Sequence, residues 1–294
     1  MSREVVAPQH GPVLWDPAQY GLFGAERARP FGELIARIPL AAPRRVADLG
    51  CGTGELTLLL ARRWPEATID AIDISPQMIT AALSGADVRT DGQAGTALGG
   101  RVRFAVADVR DWRPARPVDL IVSNAVLHWV PGHEELLARW VDCLTAGGCL
   151  AFQVPGNHDA PSHTLLRELC RSARWRDRLA DALPDRPVRD AAGYLDLLSG
   201  LGCAVDAWET TYLQVLGGPD PVLEWVKGTT LRPVLSLLDE EESGEFLAEY
   251  AKLLRRAYPP RPNGTVFPFR RIFVVARRLG NEAGTASSRA GPSP

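Results

Sequence analysis

Three glycines in alternation, Gly50, Gly52 and Gly54, with an acid two residues ahead at Asp48, form the stretch of this chain best suited to chemistry. Glycine is needed where the backbone takes positive φ or comes within contact distance of a ligand, because a Cβ there would collide. The loop also feeds a helix starting at Glu55, whose free N–H groups and dipole favour a negative group. Asp73 follows about twenty residues on, the spacing at which a carboxylate reaches the two vicinal hydroxyls of a ribose in nucleotide-binding βαβ units. Asp108, Asn124 and His128 come later, each at the end of a short apolar run; Asp108 reads equally as a turn former or as a ligand-facing carboxylate. The spacing Asp48-x-Gly50-x-Gly52-x-Gly54 is not the Gly-x-Gly-x-x-Gly of dinucleotide sites, which argues against a nicotinamide enzyme.

These residues act together only if the elements carry them to one edge. Residues 45–49, 68–74, 101–107, 118–123 and 149–154 have the apolar, β-branched character of strands. Helices are expected over 25–38, 55–63, 77–83 (capped by Ser75 and Pro76) and 133–143, with a helix stop and turn over 144–148 and a long surface loop over 84–100. Strand and helix alternate five times, predicting an α/β fold: a parallel sheet covered on both faces, with ligand outside the strands' C-terminal ends. Gly50, Gly52, Asp73, Asp108, Asn124 and His128 all fall on that rim. Further on, 161–183, 191–201, 221–227 and 239–258 read as helices, and 203–216 and 271–279 as strands. The long inserts between them would lie over the rim and shield it from water.

Composition narrows the class. The chain has 294 residues, 46% of them hydrophobic, enough for one large core, and a net charge of −2 gives no reason to expect nucleic acid or an acidic membrane as partner. The basic residues are almost all Arg, with Lys only at Lys227 and Lys252, so an individual arginine is a weak ligand candidate. The five cysteines form no CxxC pair and no leader peptide is evident, so reduced thiols and a cytoplasmic location are expected. Cys51, between two glycines, reads as a packing residue rather than a nucleophile. His133, His158 and His163 lack acidic partners at metal-ligand spacing and read as surface or capping residues, so no metal is expected. No apolar run is long enough to span a bilayer. Residues 1–14 read as a loose arm. Trp15, Tyr20 and Phe23 form an aromatic cluster that either packs onto the body or closes over a ligand pocket, and 281–294 reads as a disordered tail.

The run Ala47-Asp48-Leu49-Gly50-Cys51-Gly52-Thr53-Gly54, with Asp73 and Ala107-Asp108, resembles the S-adenosylmethionine site of class I methyltransferases over roughly residues 45 to 155. A narrower resemblance covers most of the chain. Trp15-Asp16-Pro17 with Tyr20, residues 25–30, Leu127-His128-Trp129, Thr230-Leu231-Arg232-Pro233 and residues 271–278 are similar to the trans-aconitate methyltransferases. The 84–100 stretch and the tail depart from that family; the former bears on self-association, which stays open.

The resemblance implies a Rossmann-like class I methyltransferase fold: a mostly parallel seven-stranded sheet with helices on both faces and a helical substrate cap. It implies one domain over 1–280, with 45–155 as cofactor core and 1–40, 156–200 and 217–270 contributing the cap. The cofactor is S-adenosyl-L-methionine, leaving S-adenosyl-L-homocysteine. Asp48, Gly50, Cys51, Gly52, Asp73, Ile74, Asp108, Val109 and Asn124 are the implied cofactor-binding residues. Gly50 and Gly52 would meet its amino-acid end, Asp73 its ribose, Asp108 and Val109 its adenine, and Asn124 its methionine portion. The implied reaction esterifies one carboxylate of trans-aconitate. A carboxylate is already ionised near neutral pH, so no catalytic base is needed and positioning is the enzyme's task. Tyr20, His128, Trp129, Arg232, Arg270 and Arg271 are the substrate candidates, the arginines serving the carboxylates that do not react. Arg232 also reads as a helix cap, and Arg270 and Arg271 as a solvated strand start. A methyltransferase for another carboxylic acid or a secondary metabolite, and a cofactor-binding regulator without catalysis, are the competing readings.

Overall fold

The computed structural model describes residues 24–84, 89–90, 94–98, 101–183 and 188–280. Helix α1 (Gly24–Ala36) precedes the alternating core of β1 (Arg45–Leu49), α2 (Glu55–Arg63), β2 (Thr68–Asp73), α3 (Pro76–Ala82), β5 (Val102–Val106), β6 (Val118–Asn124), α4 (His133–Asp142) and β7 (Leu144–Pro155). Short strands β3 (Arg89–Thr90) and β4 (Ala94–Ala97) lie between α3 and β5. Then come α5 (Pro161–Cys170), α6 (Arg176–Leu179), α7 (Ala191–Gly200), β8 (Cys203–Leu216), α8 (Pro221–Lys227), α9 (Arg232–Leu235), α10 (Glu240–Ala257), β9 (Pro260–Arg261) and β10 (Gly264–Arg278).

The sheet runs β3-β4-β5-β2-β1-β6-β7-β10-β8, with β9 also paired to β10. β5, β2, β1, β6 and β7 are parallel, and β10 enters antiparallel between β7 and β8. Those seven strands are the sheet expected from the sequence. β4 pairs antiparallel with β5, and β3 with β4, so the stretch read as a surface loop adds two strands to the edge. The predicted turn at 144–148 lies within β7, as a bulge: Leu144 pairs with Val118 and Cys149 already with Leu120, with Gly147 at φ +77° inside it. The helix expected over 161–183 breaks into α5 and α6.

Alternation along each strand divides the core between the two faces. Ala47, Ile121, Ile272 and Val274 pack with Trp140 of α4 and Tyr194 of α7 on one face; Val46, Leu120, Val122, Phe273 and Val275 pack with Phe31 of α1 and Leu60 of α2 on the other. A third cluster joins α5, α8 and α10 to the ends of β8 and β10 through Trp175, Trp225, Phe246, Tyr250 and Phe267. That cap is stapled locally: Asp239 and Glu242 form a capping box at the start of α10, while the Tyr258 hydroxyl accepts from the Ser162 amide at 3.0 Å and the Tyr250 hydroxyl donates to the Ser162 carbonyl. Among the described residues no helix is long and apolar enough to cross a membrane.

Candidate functional site

β1 delivers the chain into the glycine loop, which is tied to β2 because the Gly50 and Cys51 amides both donate to the Ile72 carbonyl, at 2.8 and 2.9 Å. Gly50, Gly52 and Gly54 all have positive φ, at +88°, +56° and +78°, yet for different surroundings. A Cβ on Gly50 would sit 2.1 Å from Val126 Cγ2, and one on Gly54 2.9 Å from the Phe104 ring, so those two glycines serve internal packing. A Cβ on Gly52 would meet nothing within 4 Å. Gly52 alone of the three fronts open space, and its amide donates to Asp73 Oδ2 at 3.0 Å.

Asp48 turns inward, accepting from the Thr57 hydroxyl at 2.6 Å, so it anchors α2 rather than facing the crevice. Burial raises its carboxyl to about 6 against the lowering effect of that bond, with the Asp73 charge adding to the rise. Cys51 is buried, and burial, then the Asp48 and Asp73 charges, push its thiol well above the ordinary range, so it is protonated and inert. Asp73 accepts from the Ser75 amide at 2.9 Å as well as from Gly52; burial still raises its carboxyl, and each oxygen keeps a lone pair for a further donor. Beside it Ile74 is 57% exposed, an apolar side chain left in the open at the sheet's rim. Asp108 is clasped by Arg110, with Nε and Nη2 donating at 2.9 and 2.6 Å to Oδ2 and the Arg110 amide at 2.8 Å to Oδ1. Burial works to raise Asp108, but the Arg110 bonds and charge outweigh it and hold the carboxyl low. Val109 is buried in the core.

Gly52, Asp73, Asp108 and Asn124 thus stand at or just beyond the C-terminal ends of β1, β2, β5 and β6, four strands adjacent in the sheet. At the far side of this row the polar contacts run on. Gln153 Nε2 donates to Asn124 Oδ1 at 2.6 Å, and Arg271 Nη1 donates to Gln153 Oε1 at 3.1 Å. Arg271 is 5% exposed and its guanidinium lies over the Phe269 ring, 4.8 Å from the centroid. Just after Asn124, Ala125 takes φ +57°, sparsely occupied by residues with a Cβ, and leads into a 3-10 turn, Leu127–Trp129. His128 Nδ1 is buried there with no hydrogen-bond partner among the described residues. Burial first, then the charges of Arg271, His163 and His133, push that imidazole down to about 3, so it is neutral at physiological pH. Trp129, 36% exposed, packs on it at 4.8 Å between ring centroids.

Of the histidines read as surface or capping residues, His133 is buried, its Nε2 2.7 Å from the Tyr194 hydroxyl, and His163 is half-buried. His163 bridges the Ser162 hydroxyl at 3.1 Å and the Thr230 hydroxyl at 3.4 Å, joining α5 to the segment ahead of α9, and burial with the Arg167 and His158 charges pushes it down to about 4. Arg232 is half-buried at the first position of α9. Arg270 and Arg271, both substrate candidates, project to opposite faces of β10, as neighbours on a strand do, and they meet different partners. Arg270 forms a bidentate pair with Glu209, 2.8 Å at Nε and 2.5 Å at Nη2. Tyr20 lies outside the described residues. Nothing in the spacing of motifs pointed to Gln153; the one available signal was a lone amide amid the apolar residues of β7.

A recess of about 210 Å³ lies at the opposite rim, lined by Leu40, Pro43, Asp119 and Thr145 among others. Asp119 is spent there on the Arg44 and Arg45 amides and the Thr145 hydroxyl, so the recess carries none of the chemistry above. Among the described residues no group of three or more His, Cys, Asp or Glu side chains is placed to hold a metal ion.

A family model described as a methyltransferase domain matches residues 46–148. The trans-aconitate 2-methyltransferase of Streptomyces avermitilis is 56% identical over 267 residues, spanning 90% of this chain and 97% of that protein. That of Streptomyces coelicolor is 53% identical over 269 residues, spanning 90% of this chain and 86% of that protein. Among solved structures, the YcgJ protein of Bacillus subtilis matches 86% of this chain and 99% of its own, with a TM-score of 0.53 at 14% identity, a likeness of fold alone.

Proposed function

Because the chain belongs to the trans-aconitate 2-methyltransferase family, we propose that it transfers a methyl group from S-adenosylmethionine to one carboxylate of trans-aconitate, releasing S-adenosylhomocysteine and a monomethyl ester. When bound, the cofactor supplies the methyl as a sulfonium electrophile. The acceptor oxygen is ionised near pH 7, so the chain's residues have no proton to remove and act by holding two partners in line.

In this reading Gly52 offers an open backbone to the cofactor's amino-acid end, with Gly50 and Cys51 shaping the loop behind it and Asp48 anchoring α2. Asp73 accepts from the ribose hydroxyls, and the exposed Ile74 gives the adenine an apolar surface. Asp108 and Val109 border the adenine, with the Asp108 carboxylate shared with Arg110. Asn124 meets the methionine portion. On the acceptor side Arg271 pairs with a spectator carboxylate, where a planar guanidinium fits two oxygens at once. His128, neutral and with Nδ1 unspent among the described residues, lines that pocket with Trp129, and Arg232 closes it from the cap. The observation that carries the reading, beyond family likeness, is the meeting of both sets at Asn124: strand-end carboxylates on one side, a buried arginine on the other.

Residues 1–280 then work as one unit, with 45–155 holding the cofactor and 1–40, 156–200 and 217–270 covering the acceptor. All five cysteines are free thiols, which supports a reducing, cytoplasmic setting. Incubating purified protein with methyl-labelled S-adenosylmethionine and trans-aconitate tests the reading: one labelled methyl per acid, as an ester, is expected. Cofactor binding without transfer to trans-aconitate would overturn the substrate assignment.

A further inference from the structure

Resting on that reading of the cofactor site, we propose that Gln153 is a positioning residue that fixes which way the Asn124 amide faces, so that its NH2 group points into the crevice toward the carboxylate at the cofactor's amino-acid end. The polarity follows from donor and acceptor inventory. A guanidinium has only donors, so the 3.1 Å contact from Arg271 Nη1 must end on the Gln153 oxygen. That leaves the Gln153 nitrogen to donate, at 2.6 Å, and the Asn124 group receiving it must be the oxygen. The remaining Asn124 nitrogen is turned away from Gln153. A chain of three side chains, beginning at a group that cannot accept, thereby orients an amide at the rim.

Burial makes the arrangement stiff. Gln153 is 0% exposed, so no solvent compensates an inverted amide, and an unmatched buried polar group is costly. The backbone is held at the same point: Asn124 and Gln153 are cross-strand partners, and the Ala125 amide donates to the Gln153 carbonyl at 2.9 Å while Ala125 takes φ +57°. Phe152 and Val154 on either side are fully buried apolar residues. A purely structural position there would be filled at least as well by another apolar side chain.

Gln153→Glu keeps the size and the Arg271 contact but replaces the donor with an oxygen. Asn124 must then turn its NH2 toward Glu and present its oxygen to the crevice. The test is calorimetric binding of two ligands: S-adenosylhomocysteine, and 5′-methylthioadenosine, which shares the adenosine and sulfur but lacks the amino-acid end. Gln153→Glu is expected to weaken S-adenosylhomocysteine binding about tenfold, the scale of one hydrogen bond to a charged group, and to leave methylthioadenosine within about twofold of wild type. Asn124→Asp removes the same donor at the rim and adds a negative charge there, is expected to give the same split or a larger one, and serves if the buried variant does not fold. Equal weakening of both ligands, or an unchanged affinity for S-adenosylhomocysteine, overturns the proposal. Neither arm uses trans-aconitate, so a wrong acceptor leaves the test intact. A wild-type protein that fails to bind S-adenosylhomocysteine overturns the cofactor reading, and this inference with it.

Discussion

The two halves of the proposed site are built in different ways. The cofactor half comes from strand ends within one stretch of chain, Asp48 to Asn124, where the parallel sheet lines the residues up side by side. The acceptor half is assembled from β10, the turn after β6 and the cap, with contacts such as Gln153 to Arg271 and His163 to Thr230 joining distant segments. Local spacing encodes the first; only tertiary packing creates the second. Within the cofactor half, moreover, adjacent residues divide into those that build the rim and those that face its ligand.

That division can be broken at the glycines, where the largest effect on stability is expected. Gly50→Ala combines a left-handed backbone with a Cβ 2.1 Å from Val126, and should lower unfolding free energy by about 4 kcal/mol in denaturant titrations. Gly52→Ala carries only the backbone cost, about 1 to 2 kcal/mol, and should instead weaken S-adenosylhomocysteine binding. Equal destabilisation by the two would erase the distinction between packing and ligand-facing glycines.

Asp48 sharpens the same contrast through pH. Its folded value of about 6 lies above the unfolded value near 3.8, so the unfolded chain ionises first. The native preference for the neutral acid is in force below pH 4 and is lost as pH rises through 6. Asp48→Asn, measured without cofactor, should therefore lack a stability loss of roughly 3 kcal/mol that the wild type shows between pH 4 and 7. A wild type whose stability does not fall over that window relative to the variant would show that Asp48 is not held neutral. Asp73→Ala, at the proposed ribose contact, should weaken S-adenosylhomocysteine binding about a hundredfold through loss of charge-assisted bonds to the ribose. An affinity within a few-fold of wild type would remove Asp73 from the ribose site.

Much of the first half was legible in the sequence. The α/β alternation, the glycine loop and the acid at Asp73 are local signals, and the structure carries them to one rim. What the sequence did not separate was why each glycine is there, since Val126 and Phe104, the neighbours of Gly50 and Gly54, are distant in the chain. The 84–100 stretch read as a loop because its short strands pair only with an edge and lack a buried apolar run. In the second half, period-two alternation was signal enough to put Arg270 and Arg271 on opposite faces of β10, although not to say which face the proposed acceptor meets. Gln153 and His163 were illegible because their meaning lies in partners 118 and 67 residues away.

The adjacent arginines set the smallest prediction. Arg270, half-exposed and paired with Glu209, should change stability by less than about 1 kcal/mol when replaced by Gln and leave acceptor KM within about twofold. A large rise in KM would return Arg270 to the pocket.

Arg271 then tests the division of the site most directly. Trans-aconitate is titrated calorimetrically into wild-type and Arg271→Gln protein, each already saturated with S-adenosylhomocysteine. Saturable binding to the wild type, and about a hundredfold weaker binding to a variant kept saturated with S-adenosylhomocysteine, is the expected result. Equal trans-aconitate affinity in the two proteins would contradict an acceptor pocket built on Arg271.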